Sequence, residues 1–434
     1  MIIDFSVKNF LSFKDTQKIS FVASNYDKTS LPENVIDPKL PGELEDLRLL
    51  KGLAIYGANA AGKSNVLNAM MFLKHLVINS ATKTNEGDEI PATPFALDPA
   101  CGNQPSEFVI RFIINGVRYH YSLAVNKERV LFESLSAFPS GKEQVWYERE
   151  WDDENKTYKW KPERPSGYTR SPDREEMTRS NALYLSTAVN LNDEQLKPVY
   201  LFFKDNLRFL KQNSEINGLK PDFTGHMMLQ DENIKKFILH MMTRADLGLI
   251  SAEIREGEYK RELFPKTANK EIVEELVGKK FVNITLVHKG HEGHEFSTIY
   301  WGDESDGTKK FFSLLGPWLH FMTNSYCMGV DELETSLHPT MVAELLKFFF
   351  FFKYESTPQI IFTTQNPLLL DQTLLRRDQI WFADKDDEGA TQLYPLTDYS
   401  PRKGESLVRG YMAGRYGAVP FIPEGLLGKD EDAQ

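Results

Sequence analysis

The fold turns on one stretch, Gly52-Leu53-Ala54-Ile55-Tyr56-Gly57-Ala58-Asn59-Ala60-Ala61-Gly62-Lys63-Ser64. Residues 52–56 form a short apolar run that predicts a buried strand. A glycine-containing loop follows, and helical apolar spacing then runs from about Lys63 to Val77. Residues 57–64 satisfy G-x-x-x-x-G-K-[ST] in full, after a strand and opening a helix, which is the context that gives this motif meaning. Gly57 and Gly62 let the backbone curl so that successive N–H groups can face phosphate oxygens. The helix start adds its partial positive charge. Gly57, Asn59, Ala60, Ala61, Gly62, Lys63, Ser64 and Asn65 are therefore the expected phosphate cradle. Lys63 is expected to reach the β- and γ-phosphates, and the Ser64 hydroxyl to ligate Mg²⁺. The cofactors this predicts are ATP and Mg²⁺.

A phosphate loop needs a metal-holding carboxylate and a group that activates water. Tyr326-Cys327-Met328-Gly329-Val330-Asp331-Glu332 offers both: an apolar strand ending in two carboxylates. Asp331 is expected to hold Mg²⁺, and Glu332 to act as general base on the attacking water. About 270 residues separate Gly57 from Asp331. That is far more than one strand–helix–strand unit requires, so a large insertion is expected between two halves of one ATPase.

Outward from these anchors, Ile2 to Phe21 reads as two strands around a turn near Ser12–Asp15. Alternating segments at 107–114, 118–125, 130–136 and 144–151 predict an antiparallel sheet, with Asn115-Gly116 as a hairpin turn. Residues 171 to 279 read as mainly helical, strand-like pairs return at 282–288 and 296–301, and the remainder alternates helix and strand as a parallel α/β sheet does. The expected fold is α/β: a P-loop NTPase with an antiparallel β region and a helical insertion between its two halves. The expected division is 1–90 for the first half, 91–170 for the β region, 171–280 for the helical insertion and 281–434 for the second half.

Composition narrows the class. With 434 residues and 41% hydrophobic content the chain can bury two or three cores, and 29 Phe and 17 Tyr exclude a disordered protein. No run approaches the roughly 20 apolar residues of a membrane helix. The first residues lack a signal peptide's basic start, and two distant cysteines, Cys101 and Cys327, exclude a disulfide framework. A cytoplasmic protein without a membrane partner is expected. A net charge of −11 argues against a surface basic throughout, yet leaves a local DNA-binding groove open.

The segment before Asp331 gives the chain a likeness. Ser305-Asp306-Gly307-Thr308, ahead of a helix from Lys309, resembles the S-x-G-x signature of ABC and SMC-type ATPases. In those families the signature closes on the γ-phosphate held by a second subunit. The resemblance thus implies that Ser305, Gly307 and Thr308 contact nucleotide across a homodimer or higher homo-oligomer. Residues 331–339, Asp-Glu-Leu-Glu-Thr-Ser-Leu-His-Pro, look like the DE-x-E-x-x-L-H-P of AAA-like ATPases related to the OLD family. Phe5 to Phe13 looks like the opening strand of that group. Arg376–Phe382 and Gly414–Pro420 resemble the C-terminal part of its RloA/AbiL-like subset. The resemblance implies an antiphage, abortive-infection ATPase that controls a co-encoded effector, a nuclease or other toxin.

Two departures qualify it. ABC-type ATPases place a histidine against the γ-phosphate after the strand that follows, where this chain has Gln365, which donates a hydrogen bond but carries neither proton nor charge. Slow hydrolysis, with the nucleotide acting as a latch, is the expectation. Only about 70 residues follow Thr364, too few for the Toprim nuclease of OLD proteins, and Asp384, Asp386, Asp387 and Glu388 read as a turn. His288, His291 and His294 read as a solvated hairpin loop rather than a zinc site, and the Phe348–Phe352 run as a buried helix. An SMC-like DNA-binding repair ATPase is the alternative reading. It expects long heptad coiled coils where Pro198, Gly218 and Pro221 interrupt short helices.

Overall fold

Alternation in the sequence writes the first sheet. Ser106–Ile114 and Val117–Val125 each bury every second side chain, and they pair antiparallel with Ile114 opposite Val117. Between them Asn115 and Gly116 have φ of 49° and 76°, the double left-handed turn whose twist suits a two-residue hairpin. Residues 1–42, 46–164, 166–210, 221–245, 249–265, 267–290, 296–335, 337–353, 355–401 and 404–419 are described in the computed structural model of the chain.

The described chain forms two bodies. The first comprises Met1–Phe209, Tyr326–Leu333 and Gln359 onward; the second comprises Leu210–Ser325 and Glu334–Pro358.

Two sheets make the first body. The antiparallel one has seven strands in the order Thr157–Lys161, Gln144–Asp152, Val130–Phe138, Val117–Val125, Ser106–Ile114, Ile2–Lys8 and Gln17–Ser20. The N-terminal hairpin and the β region, expected as separate pieces, are therefore one sheet, joined where Phe5 faces Ile110 and Val7 faces Phe108. The second sheet has six strands in the order Leu207–Leu210, Cys327–Val330, Gln359–Thr364, Gly52–Tyr56, Ile380–Lys385 and Thr391–Pro395. The four strands from Cys327–Val330 to Ile380–Lys385 run parallel. Helix Lys63–Asn79 buries Val66, Leu67, Met70, Leu73 and Val77 into a core shared with Phe5, Phe108 and Phe112. Its Phe72 ring packs 4.9 Å from Phe10 and 5.2 Å from Phe108.

Buried polar side chains tie the pieces together. Gln359 accepts from Ile2 N at 2.5 Å and donates to the carbonyls of Ile2 and Leu50, linking the two sheets. Glu133 and Arg149, both fully buried, form an ion pair of 3.0 Å. Glu133 also accepts from the hydroxyls of Tyr121 and Tyr147 and from the backbone N–H groups of Tyr184 and Leu185. That fixes the start of helix Tyr184–Asn190 to the sheet and satisfies a charge that burial alone would make costly.

The second body joins a three-stranded antiparallel sheet, Leu249–Glu258, Lys280–Lys289 and Phe296–Tyr300, to helices Pro221–Gln230, Glu232–Arg244, Lys270–Leu276, Asp306–Met322 and Pro339–Phe351. The expectation of a mainly helical 171–279 needs correcting here: Leu249–Glu258 is a strand, paired along its length with Lys280–Lys289. Its many charged residues hide the alternation of a half-exposed sheet. Phe349 and Phe350 are buried, Phe349 stacking 5.5 Å from Phe321, whereas Phe351 and Phe352 at the helix end are exposed. No helix among the described residues is long and apolar enough to cross a membrane.

The parallel strands on either side of Gly52–Tyr56, with the glycine loop and helix that follow it, give the fold of a P-loop NTPase. Its phosphate-loop strand lies inside a parallel sheet beside a second, antiparallel one.

Candidate nucleotide site

Parallel strands put their C-terminal ends on one edge, and there the sequence motifs meet. Tyr56 lies opposite Thr364 on one side and Phe382 on the other, so the loop after Tyr56 emerges between two neighbouring strand ends. Ala60 (φ 62°) and Gly62 (φ 98°) take left-handed backbone, which curls the loop before the helix starts. Gly62 has a second reason to be glycine. A Cβ there would come within 2.1 Å of Thr391 Oγ1 and 2.7 Å of Ser12 Oγ. Gly57 is just as confined, since its Cβ would meet the Ala383 carbonyl oxygen at 2.4 Å.

Helix Lys63–Asn79 begins at Gly62 with no side-chain cap and no acidic residue in its first turn. A helix start without a side-chain cap or an acidic neighbour is the arrangement that suits an anion. Lys63 is buried and donates to the carbonyls of Gly57 at 2.8 Å and Ala58 at 2.9 Å, lying across the loop. Asn59 and Ala60 are exposed, and Ala61 is buried. Asn65 Nδ2 donates to Ser12 Oγ at 2.7 Å.

The carboxylates arrive from the neighbouring strand. Ser64 Oγ donates to Asp331 Oδ1 at 2.7 Å, and Thr363 Oγ1 donates to the same oxygen at 2.7 Å. Glu332, next in sequence, has φ of 47°, uncommon for a residue with a side chain. Its backbone N–H donates to Thr363 Oγ1 at 2.7 Å. Gln365 Nε2 approaches Glu332 Oε1 at 3.4 Å. The donor set matches a magnesium nucleotide: a hydroxyl and a carboxylate oxygen side by side, an ammonium on the loop, uncapped N–H groups at a helix start, and a second carboxylate adjacent.

In the second body, the Ser305 side chain caps helix Asp306–Met322 by accepting from Thr308 N at 3.1 Å. Ser305 is exposed and Gly307 half-buried; Thr308 is buried, with its hydroxyl 2.8 Å from Ser305 Oγ. Immediately upstream, the buried Glu304 pairs with His288 Nε2 at 2.7 Å. His291 and His294, read with His288 as a loop, lie outside the described residues, as do Ser336 and Pro420 of the quoted motifs. His338 and Pro339 have a local role: His338 caps helix Pro339–Phe351, and Pro339 takes its first position, where a missing N–H costs nothing. Asp386 closes the expected turn, its Oδ1 accepting from Glu388 N and Ala390 N. No cluster of potential metal ligands occurs among the described residues.

Sequence reasoning missed Thr363, Ser12 and Thr391. The Ser12 and Thr391 hydroxyls lie 2.8 Å apart, and Thr391 Oγ1 donates to the Ala61 carbonyl at 2.9 Å, walling the loop from beneath. Small hydroxyl residues at separated positions form no motif. Only the glycine they confine, Gly62, marks the place in the sequence.

The profile of the family described as "AAA domain, putative AbiEii toxin, Type IV TA system" matches residues 53–371. The chain belongs to that family. The match spans the phosphate loop, both carboxylates and the capped helix at Ser305, and stops short of the last two strands of the parallel-sheet body. No curated protein matches the chain. Among solved structures, an SMC head domain from Thermotoga maritima is 12% identical, with 91% of this chain and 98% of that one covered and a TM-score of 0.38. An SMC head bound to the C-terminal winged-helix domain of ScpA is 14% identical, with 92% and 99% covered and a TM-score of 0.43. The recombination mediator RecF with a bound ATP analogue is 11% identical, with 91% and 98% covered and a TM-score of 0.33. Likenesses this distant say nothing about substrates or partners.

Proposed function

We propose that this AAA-family chain binds and hydrolyses ATP as the ABC-type ATPase subunit of a bacterial antiphage system of the abortive-infection type. Nucleotide-driven assembly would control a separately encoded effector. The observation that carries the ATPase reading is the 2.7 Å contact of Ser64 Oγ with Asp331 Oδ1 beside Glu332. It joins a phosphate loop to a carboxylate pair distant in sequence. Lys63 and the loop's N–H groups would bind and orient the phosphates; Ser64 and Asp331 would hold Mg²⁺, which would supply charge neutralisation to the phosphates. Glu332 takes the proton from the attacking water. Gln365 orients without transferring a proton, so turnover is slow and the ATP state persists.

The exposed Ser305 and Asp306, with the half-buried Gly307 beside them, support presentation to a second copy's nucleotide. The family description, with its toxin–antitoxin wording, and the likeness of residues 331–339, 376–382 and 414–420 to the OLD-related RloA/AbiL-like subset support the defence setting. Lys63→Ala should abolish ATP binding and any cellular protection, and Glu332→Gln should retain bound ATP and accumulate assemblies. A Lys63→Ala protein that binds and turns over ATP normally refutes the site. Turnover that responds to DNA, with no effect of a neighbouring effector gene, would favour a repair or maintenance ATPase.

A further inference from the structure

Asp331 and Glu332 are adjacent yet have different tasks, and something must hold their groups apart in fixed directions. The structure offers one side chain for this. Thr363, fully buried at the end of strand Gln359–Thr364, donates its hydroxyl proton to Asp331 Oδ1 at 2.7 Å and accepts from Glu332 N at 2.7 Å. Its backbone carbonyl accepts from Leu333 N at 3.2 Å, so three consecutive residues of the carboxylate loop are bonded to one threonine.

The two hydroxyl bonds have distinct effects. With Ser64 Oγ also on Asp331 Oδ1, that oxygen has two donors and a single direction. The bond from Glu332 N fixes a residue whose φ of 47° costs of the order of 1 kcal/mol or more and persists only where surroundings enforce it. Without the hydroxyl, the Glu332 amide loses its acceptor, and the backbone is free to relax toward ordinary φ, swinging the carboxylate away.

We infer that Thr363 is a positioning residue that couples the metal-holding Asp331 to the base Glu332 through a single hydroxyl. The inference rests on the site reading above. It predicts an effect on turnover and on metal use with the phosphate cradle intact, because Thr363 bonds none of residues 57–63.

Thr363→Val keeps shape and β-branching but deletes the hydroxyl; Thr363→Ala deletes it without crowding; Thr363→Ser restores it. In nucleotide-free protein, hydrogen exchange of a peptide spanning 327–335 should show the Glu332 amide protected in the wild type and Thr363→Ser, and unprotected in Thr363→Val and Thr363→Ala. With ATP, the last two should lose about 10–100-fold in kcat and need more Mg²⁺, the scale on which ligand-supporting groups act, while ATP affinity shifts less than about threefold. Should Thr363→Val fail to fold, Thr363→Ala carries the comparison. Unchanged exchange and kcat in the hydroxyl-less variants, or an equal loss in Thr363→Ser, overturns the inference. Normal turnover in Lys63→Ala would instead remove the site reading, so the two failures are distinguishable.

Discussion

Ser64 and Asp331 stand 267 positions apart in the chain and 2.7 Å apart in space. One opens a helix and the other ends a strand. Their meeting is possible because Gly52–Tyr56 and Cys327–Val330 are parallel and separated by a single strand, Gln359–Thr364. Everything proposed about nucleotide chemistry depends on that edge.

Gly62→Ala tests the wall beneath the loop. The new methyl would sit 2.1 Å from Thr391 Oγ1 on a backbone with φ of 98°. A loss of about 1–3 kcal/mol in stability is expected, together with loss of the thermal shift produced by MgATP. Differential scanning fluorimetry with and without MgATP reads both; a wild-type shift contradicts the tight fit.

Ser305 has two separable roles. Ser305→Ala removes the cap to Thr308 N and should cost about 1 kcal/mol. Ser305→Asp restores a good cap but sets a negative charge where a neighbouring phosphate is proposed. Ser305→Asp should therefore melt like the wild type and fail to assemble with ATP. Light scattering of the Glu332→Gln background distinguishes this from a purely structural serine, for which Ser305→Asp would assemble normally.

Gln365→His asks whether the missing histidine limits turnover. Gln365 Nε2 lies 3.4 Å from Glu332 Oε1, so an imidazole in its place falls beside the proposed base. A several-fold rise in kcat with little change in KM is expected, and the rise should acquire a pH dependence near 6.5, the ordinary imidazole value. A steady-state pH profile of both proteins decides it; an unaltered kcat would dismiss Gln365 as the cause of the proposed slow turnover.

Lys74, on the helix that the phosphate loop opens, should make stability depend on pH. Burial, with help from Arg208, lowers its ammonium to about 8, against the pull of Asp205. The unfolded chain keeps that proton up to about 10.4. Between those values the unfolded state binds more protons, so this residue's contribution to stability rises with pH and is unfavourable below about 8. Urea denaturation from pH 7.5 to 10 should show a steeper rise in the wild type than in Lys74→Met. Parallel curves would mean that Lys74 titrates normally.

Much of this molecule can be read from local pattern. The strand, loop and helix around residues 52–79 are legible because their chemistry is contiguous, and the hairpin at Asn115-Gly116 because its turn demands two left-handed residues. The site's supporting shell is not legible. Ser12 and Thr391 touch across 379 positions, and Thr363 meets Asp331 across 32. Contacts so distant leave no periodicity, and serine and threonine serve equally well in loops and caps. The union of Ile2–Lys8 with Ser106–Ile114 was hidden for the same reason, since pairing partners in a sheet need not be neighbours in sequence. Strand Leu249–Glu258 was obscured differently, by charges on its exposed face.

The phosphate-loop strand receives both its flanking strands from much later in the sequence, Gln359–Thr364 and Ile380–Lys385. During synthesis, residues 52–64 leave the ribosome long before either neighbour exists, and pairing of such sequence separation is slow to form. A nascent or prematurely terminated chain therefore displays the phosphate motif without the sheet that shapes it. The phosphate cradle thus cannot take its shape until residues 359–385 have been made.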